Sequence, residues 1–208
     1  MDFDGIFIAI SNPVDIIAHY IYKLSGLPKN QVIGTGTAID SARLQNMIAQ
    51  TVNVDPRSVH AYSMGEHGDS QMVPWSTVTI AGKPFYDVIA DNKELVGDVD
   101  LDELVYRTTQ EGWEIFNRKG TTYYGIATAC VGVIKAILND ENRIIPVSTL
   151  LEGEYGERDV YAGVPTVLNR SGAYDVLEIH MTPGELARFK ESTRVIREYT
   201  DRIMKLNL

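Results

Sequence analysis

The stretch GIFIAISNPVD, residues 5–15, sets the expected fold. Its first six residues are apolar and rich in β-branched side chains, which reads as a buried strand. Pro13 lacks an N–H and biases Asn12 toward extended geometry, so the strand should stop there. Residues 14–24 then place Ile16, Ile17, Tyr20 and Ile21 at helical spacing. The strand arrives within a few residues of Met1 with nothing in front of it to pair with. It reads as the last piece of a larger α/β sheet.

Outward from this stretch the pattern changes. Residues 31–34 are a second short strand candidate. Residues 38–52 read as a helix with Ile39, Ala42, Met47 and Ile48 on one side, and residues 58–63 and 76–83 read as strands. Residues 101–118 and 124–138 read as helices. The second is apolar nearly all round (Ile126, Ala127, Ala129, Val131, Val133, Ile134), which predicts a core helix. Between 143 and 181 lie short β-branched runs, RIIPVST, DVYAGVP, TVLN and DVLEIH, separated by turn residues such as Ser171 and Gly172. They predict antiparallel sheet. Thr182, Pro183, Gly184 and Glu185 form a capping box with Pro at the first helical position, opening a helix expected to end near Leu206. There are no repeats and no low-complexity tract.

Bulk composition narrows the function. The chain of 208 residues is 44% hydrophobic and 23% charged, ordinary values for a globular protein of one large or two small domains. A net charge of −9 argues against broad nucleic-acid binding. It would also repel a small anionic substrate, unless a local Arg or Lys held it. No apolar run reaches the ~18 residues of a membrane span, and the acidic N-terminus does not read as a signal peptide. Cys130 is the only cysteine, so no internal disulfide can form and a cytoplasmic address is expected.

Three groups could carry chemistry. In GEHGDS, residues 65–70, His67 stands between two carboxylates with glycines outside them. Glycine lets the backbone approach a ligand closely, and histidine trades protons near neutral pH. A solvated turn histidine would look the same from this string. Asp40 and Arg43 share a helix face at i, i+3. They read as an exposed ion pair, unless His67 folds back onto them. Asp40 could then orient the imidazole while Arg43 grips a carboxylate with two parallel hydrogen bonds. Asn12 follows a buried strand, where open α/β sheets bind ligands, though turn chemistry would also place it there. The string GTGTAI, residues 34–39, only imitates a dinucleotide loop, because Ile39 holds the place of the third glycine. A metal site on Glu66, His67 and Asp69 would need a sharp turn, and none is expected.

Together SNPVD (11–15), GTGTAIDSAR (34–43), SVHAYSMGEHGDSQMVPWS (58–76), KGTTYYGIA (119–127) and LNDENRIIPVSTLLEGEYGERDVYAGVP (138–165) resemble the NAD-dependent L-2-hydroxy acid dehydrogenase family, bacterial lactate type. The resemblance implies an α/β remnant of a Rossmann sheet at 1–33, then the family's α+β substrate domain at 34–208. The cofactor loop, the ribose-binding acid and the mobile loop that selects the substrate would precede SNPVD. These residues would therefore be a C-terminal portion.

By this resemblance His67 is the catalytic acid/base, Asp40 its partner and Arg43 the substrate-carboxylate group. Glu66 is then a feature of the loop. Asn12 touches substrate and nicotinamide, Thr122 lies beside the substrate, and Ile10 and Ser11 lie along the path of NAD. GEHG leans toward lactate rather than malate, and bulkier acids such as 2-hydroxyisocaproate stay open. A homodimer or homotetramer is implied. So is an allosteric role for His60 toward fructose 1,6-bisphosphate, but Gln45 stands where the family's second arginine would be. A non-catalytic domain that only oligomerises is the alternative.

Overall fold

The computed structural model describes residues 3–205. Strand β1 (Phe7–Ala9) leads through helix α1 (Val14–Ser25) to β2 (Val32–Gly34), and the two strands pair in parallel, Ile8 opposite Ile33. A parallel pair joined by a helix is the α/β signature that residues 5–34 predict. Helix α2 (Ala38–Val52) follows, and its bounds are those expected.

The chain then forms a small antiparallel sheet of β3 (Val59–His60), β4 (Thr79–Ile80) and β5 (Lys83–Pro84). The expected strands at 58–63 and 76–83 are thus much shorter than their β-branched runs. Residues 75–77 form a 3-10 turn, and Ala81 and Gly82 turn the chain with positive φ. Helices α3 (Phe85–Asp91), α4 (Lys93–Val96), α5 (Leu101–Lys119) and α6 (Tyr124–Leu138) come next.

Strands β6 (Arg143–Glu152), β7 (Arg158–Asn169) and β8 (Gly172–Val176) complete the large sheet, in the order β1-β2-β6-β7-β8. The antiparallel reading of 143–181 holds, with two corrections. DVYAGVP and TVLN are one strand, because β6 pairs along its whole length. The strand predicted from DVLEIH stops at Val176. Helix α7 (Pro183–Met204) opens with both bonds of the predicted capping box, between Thr182 and Glu185. Leu206, its expected end, lies outside the described residues.

Both faces of the large sheet are covered. Successive strand residues point to opposite faces, so Val32 packs with Val14, Ala18 and Tyr161 under α1, while Ile33 packs with Val133, Ala136 and Ile137 of α6. Helix α7 closes the far side through Phe189 and Ile196 against Leu151 and Val160. A separate core joins α2, α5 and the small sheet, with Trp75 stacked on Phe85 at 5.7 Å.

Helix α6 corrects one expectation. It is not a core helix. Only Val133, Ala136 and Ile137 are buried, whereas Tyr124 is 74% exposed and Val131, Ile134 and Leu138 also face outward. The sheet offers it a single face, so one stripe is covered and the remaining apolar surface is not.

Candidate active site

The His67 loop is seated by the sheet. Gly65 exchanges backbone hydrogen bonds with Gly163 of β7, at 2.9 and 2.8 Å. A side chain on Gly163 would put its Cβ 2.5 Å from Thr37 Oγ1, so this approach needs glycine. Gly36 explains the imitation dinucleotide loop: a Cβ there would lie 2.4 Å from the backbone nitrogen of Ser148. The glycine lets α2 start hard against β6.

These approaches bring His67 back onto α2. Its Nδ1 is 2.5 Å from Asp40 Oδ2, and the imidazole is 20% exposed. Asp40 is buried, and its Oδ1 accepts from Arg43 Nη1 at 3.3 Å. Asp40 and Arg43 are therefore not the exposed ion pair that their spacing alone suggests. Burial weighs most on His67 and opposes its charged form. The hydrogen bond and charge of Asp40, with the charge of Asp15, outweigh it despite Arg43, so the pKa rises above the ordinary 6.5. Glu66 turns away: its Oε2 accepts from Ser70 Oγ at 2.5 Å.

One cavity of about 610 Å³ is lined by His67, Asp40, Arg43, Asn12, Ile10 and Thr122. Ser11 does not line it and lies exposed beyond β1. His60 is exposed too, and lines a different cavity with Gln45. Asn12 follows the carboxyl end of β1, and Thr35, another lining residue, follows that of β2.

Sequence reading missed the opposite wall. Thr109, Gly112, Trp113 and Phe116 of α5 line the same cavity. Their spacing of 0, 3, 4 and 7 is one helix face, a signal that was present but unassigned. Gly112 leaves room for the guanidinium, since a Cβ there would stand 3.1 Å from Arg43 Nη1. Gln71, also missed, donates to Gly68 O and to Thr109 Oγ1, tying the loop to α5.

A histidine backed by a carboxylate shares one cavity with an arginine at the carboxyl ends of a parallel strand pair. The chain belongs to the lactate/malate dehydrogenase family: residues 37–206 match the family's alpha/beta C-terminal domain. It is 52% identical over 197 residues to L-lactate dehydrogenase 3 of Bacillus cereus, covering 95% of this chain and 62% of that protein. It is 46% identical over 202 residues to L-lactate dehydrogenase 1 of Bifidobacterium longum, covering 97% and 64%. Among solved structures, the minor L-lactate dehydrogenase from Enterococcus mundtii in its ligands-bound form superposes with a TM-score of 0.92 at 42% identity, covering 97% of this chain and 64% of that one. The chain thus spans under two thirds of the length of these relatives.

Proposed function

We propose that this chain is the substrate half of an L-lactate dehydrogenase that interconverts L-lactate and pyruvate with NAD. The observation that carries the reading is the convergence of His67, Asp40 and Arg43 on one cavity. With Nδ1 held by Asp40, the imidazole has Nε2 left for substrate. His67 gives its proton to the C2 oxygen during pyruvate reduction and takes it back in lactate oxidation. Asp40 stabilises the imidazolium form and orients the ring. Arg43 holds the substrate carboxylate in a protein of net charge −9. Asn12 contacts the C2 oxygen from the strand side, and Thr122 bounds the substrate.

Ile10 is exposed just beyond β1, and Asn12 and Thr35 follow the two parallel strands. Open sheets take a dinucleotide at such carboxyl ends, so these positions, with Ser11, fit the nicotinamide side of NAD. The bound cofactor supplies the hydride chemistry at C2. The outward apolar residues of α6 support self-association into a homodimer or homotetramer, which light scattering would read.

The test is NADH oxidation by these residues joined to a complete dinucleotide-binding half, with pyruvate, 2-oxoisocaproate and oxaloacetate in parallel. Preferred reduction of pyruvate is expected. Preference for either other acid would move the function to a 2-hydroxyisocaproate or malate enzyme. A folded chain that oxidises NADH with none of them would overturn the reading in favour of a domain that only associates.

A further inference from the structure

The α5 wall of the candidate site has a second space behind it. A cavity of about 810 Å³ adjoins the one that holds His67, and Asp69, Gln71, Thr109 and Trp113 line both. Tyr106, Gln110 and Arg188 line only the second. Four side chains shared by two cavities form a wall one residue thick. Asp69 and Trp113 are exposed, whereas Gln71 is buried.

Gln71 uses both polar atoms of its amide in this wall. Oε1 accepts from Ser63 Oγ at 2.5 Å, and Nε2 donates to Gly68 O and to Thr109 Oγ1, each at 3.1 Å. A backbone carbonyl can only accept, so Gly68 fixes which way the amide points. Thr109 Oγ1 in turn donates to Val105 O at 3.2 Å, which leaves its lone pairs for Gln71. Ser63 is tied to α2, because its N–H donates to Ser41 Oγ at 2.9 Å, one position from Asp40. The amide thus fastens α5 to a loop that is itself fastened to α2. A buried N–H left without a partner is costly, which holds the bond to Thr109 closed.

We propose that Gln71 is a positioning residue that sets substrate length: its bond to Thr109 latches the wall between the two cavities and keeps the alkyl end of the 2-oxo acid out of the second. This rests on the reading of the site as one that reduces 2-oxo acids. Arg43 takes the carboxylate and His67 the C2 oxygen, so the alkyl end falls to the rest of the lining, where α5 supplies Thr109, Trp113 and Phe116. The methyl of pyruvate fits in front of a closed wall. The isobutyl end of 2-oxoisocaproate gains from an open one, since each apolar carbon given room is worth about tenfold or more in discrimination.

The experiment measures kcat/KM for pyruvate and for 2-oxoisocaproate, with these residues joined to a complete dinucleotide-binding half. Thr109→Val, Thr109→Ser and Gln71→Ala are compared with the parent. Valine keeps the volume of threonine and loses the acceptor, so it opens no space of its own. Thr109→Val is expected to raise the ratio of 2-oxoisocaproate to pyruvate at least about tenfold, and Gln71→Ala to raise it as well. A residue with a purely structural role would lower both acids alike and leave the ratio in place. Thr109→Ser keeps the acceptor and loses a methyl, and is expected to move the ratio less than Thr109→Val does. An unmoved ratio in Thr109→Val would overturn the latch, and so would a serine shift as large as the valine shift. If Gln71→Ala does not fold, the two Thr109 variants decide the matter alone. The parent's own preference tests the lactate reading separately. A parent that favours 2-oxoisocaproate would overturn lactate as the substrate, while the direction of the ratio still decides the latch. A parent that reduces neither acid would overturn both.

Discussion

His67 Nδ1 and Asp40 Oδ2 lie 2.5 Å apart, although 27 positions of sequence separate them. Asparagine at 40 would keep the shape and lose the charge. Asp40→Asn is expected to lower the His67 pKa and to cut pyruvate reduction about 10²- to 10⁴-fold. The sign of the stability effect follows from the raised pKa of His67. Its stabilising contribution is complete below the unfolded value of about 6.5 and is lost as pH rises through the folded value. The parent's advantage over Asp40→Asn should therefore shrink from pH 6 to pH 9 in urea unfolding. An advantage that grows with pH would contradict the assignment.

Asp15 has the same sign for a different reason. Burial raises its pKa from 3.8 to about 6. The protonated form is favoured in the folded state, so this contribution is complete below pH 3.8 and lost as pH rises through about 6. Between pH 4 and 7.5 the parent should lose about 2 kcal/mol relative to Asp15→Asn. Paired denaturant titrations at the two pH values measure this, and parallel curves would count against it.

Arg43 is a test of geometry as well as charge. Lysine retains the positive charge but not the planar fork. Arg43→Lys is expected to raise KM for pyruvate about 10- to 100-fold, the loss of one charge-assisted hydrogen bond. Steady-state kinetics would show it, and an unchanged KM would remove Arg43 from the carboxylate site.

Gln45 bears on regulation. Its Nε2 donates to Ala61 O at 3.0 Å, in a cavity of about 820 Å³ shared with His60. An amide offers a bisphosphate no charge-assisted fork. Weak or absent activation by millimolar fructose 1,6-bisphosphate is therefore expected, and Gln45→Arg should tighten its binding at least about tenfold. Titration calorimetry on both chains decides it. Strong binding by the parent would sink the expectation.

Local chemistry made much of the fold legible. The spacing of Ile39, Met47 and Ile48 marks α2, and the Thr182–Glu185 capping box marks the start of α7, whereas the first strand ends at Ala9, short of the Ile10 and Pro13 that its apolar run suggests. The helix signals are short-range effects, decided within a turn or two of chain. The β-strand lengths were less legible because pairing, not propensity, ends a strand. β7 runs through Pro165 because β6 lies beside it, and β3 stops at His60 because β4 is short. The apolar pattern of α6 was visible, but not which stripe would be covered, since that depends on how much of the sheet lies beneath it.

By itself the sequence determined the five longest helices, the residue types that can exchange protons or grip a carboxylate, and the family strings that join them. The family strings already pair His67 with Asp40; only the tertiary structure decided that Thr109 to Phe116 form the facing wall and that Asp15 holds the His67 amide. The physical reason is the close backbone packing at Gly36, Gly65 and Gly163. A missing Cβ is written in the sequence, but the chain that comes to fill its space is set only when distant strands and helices close on one another.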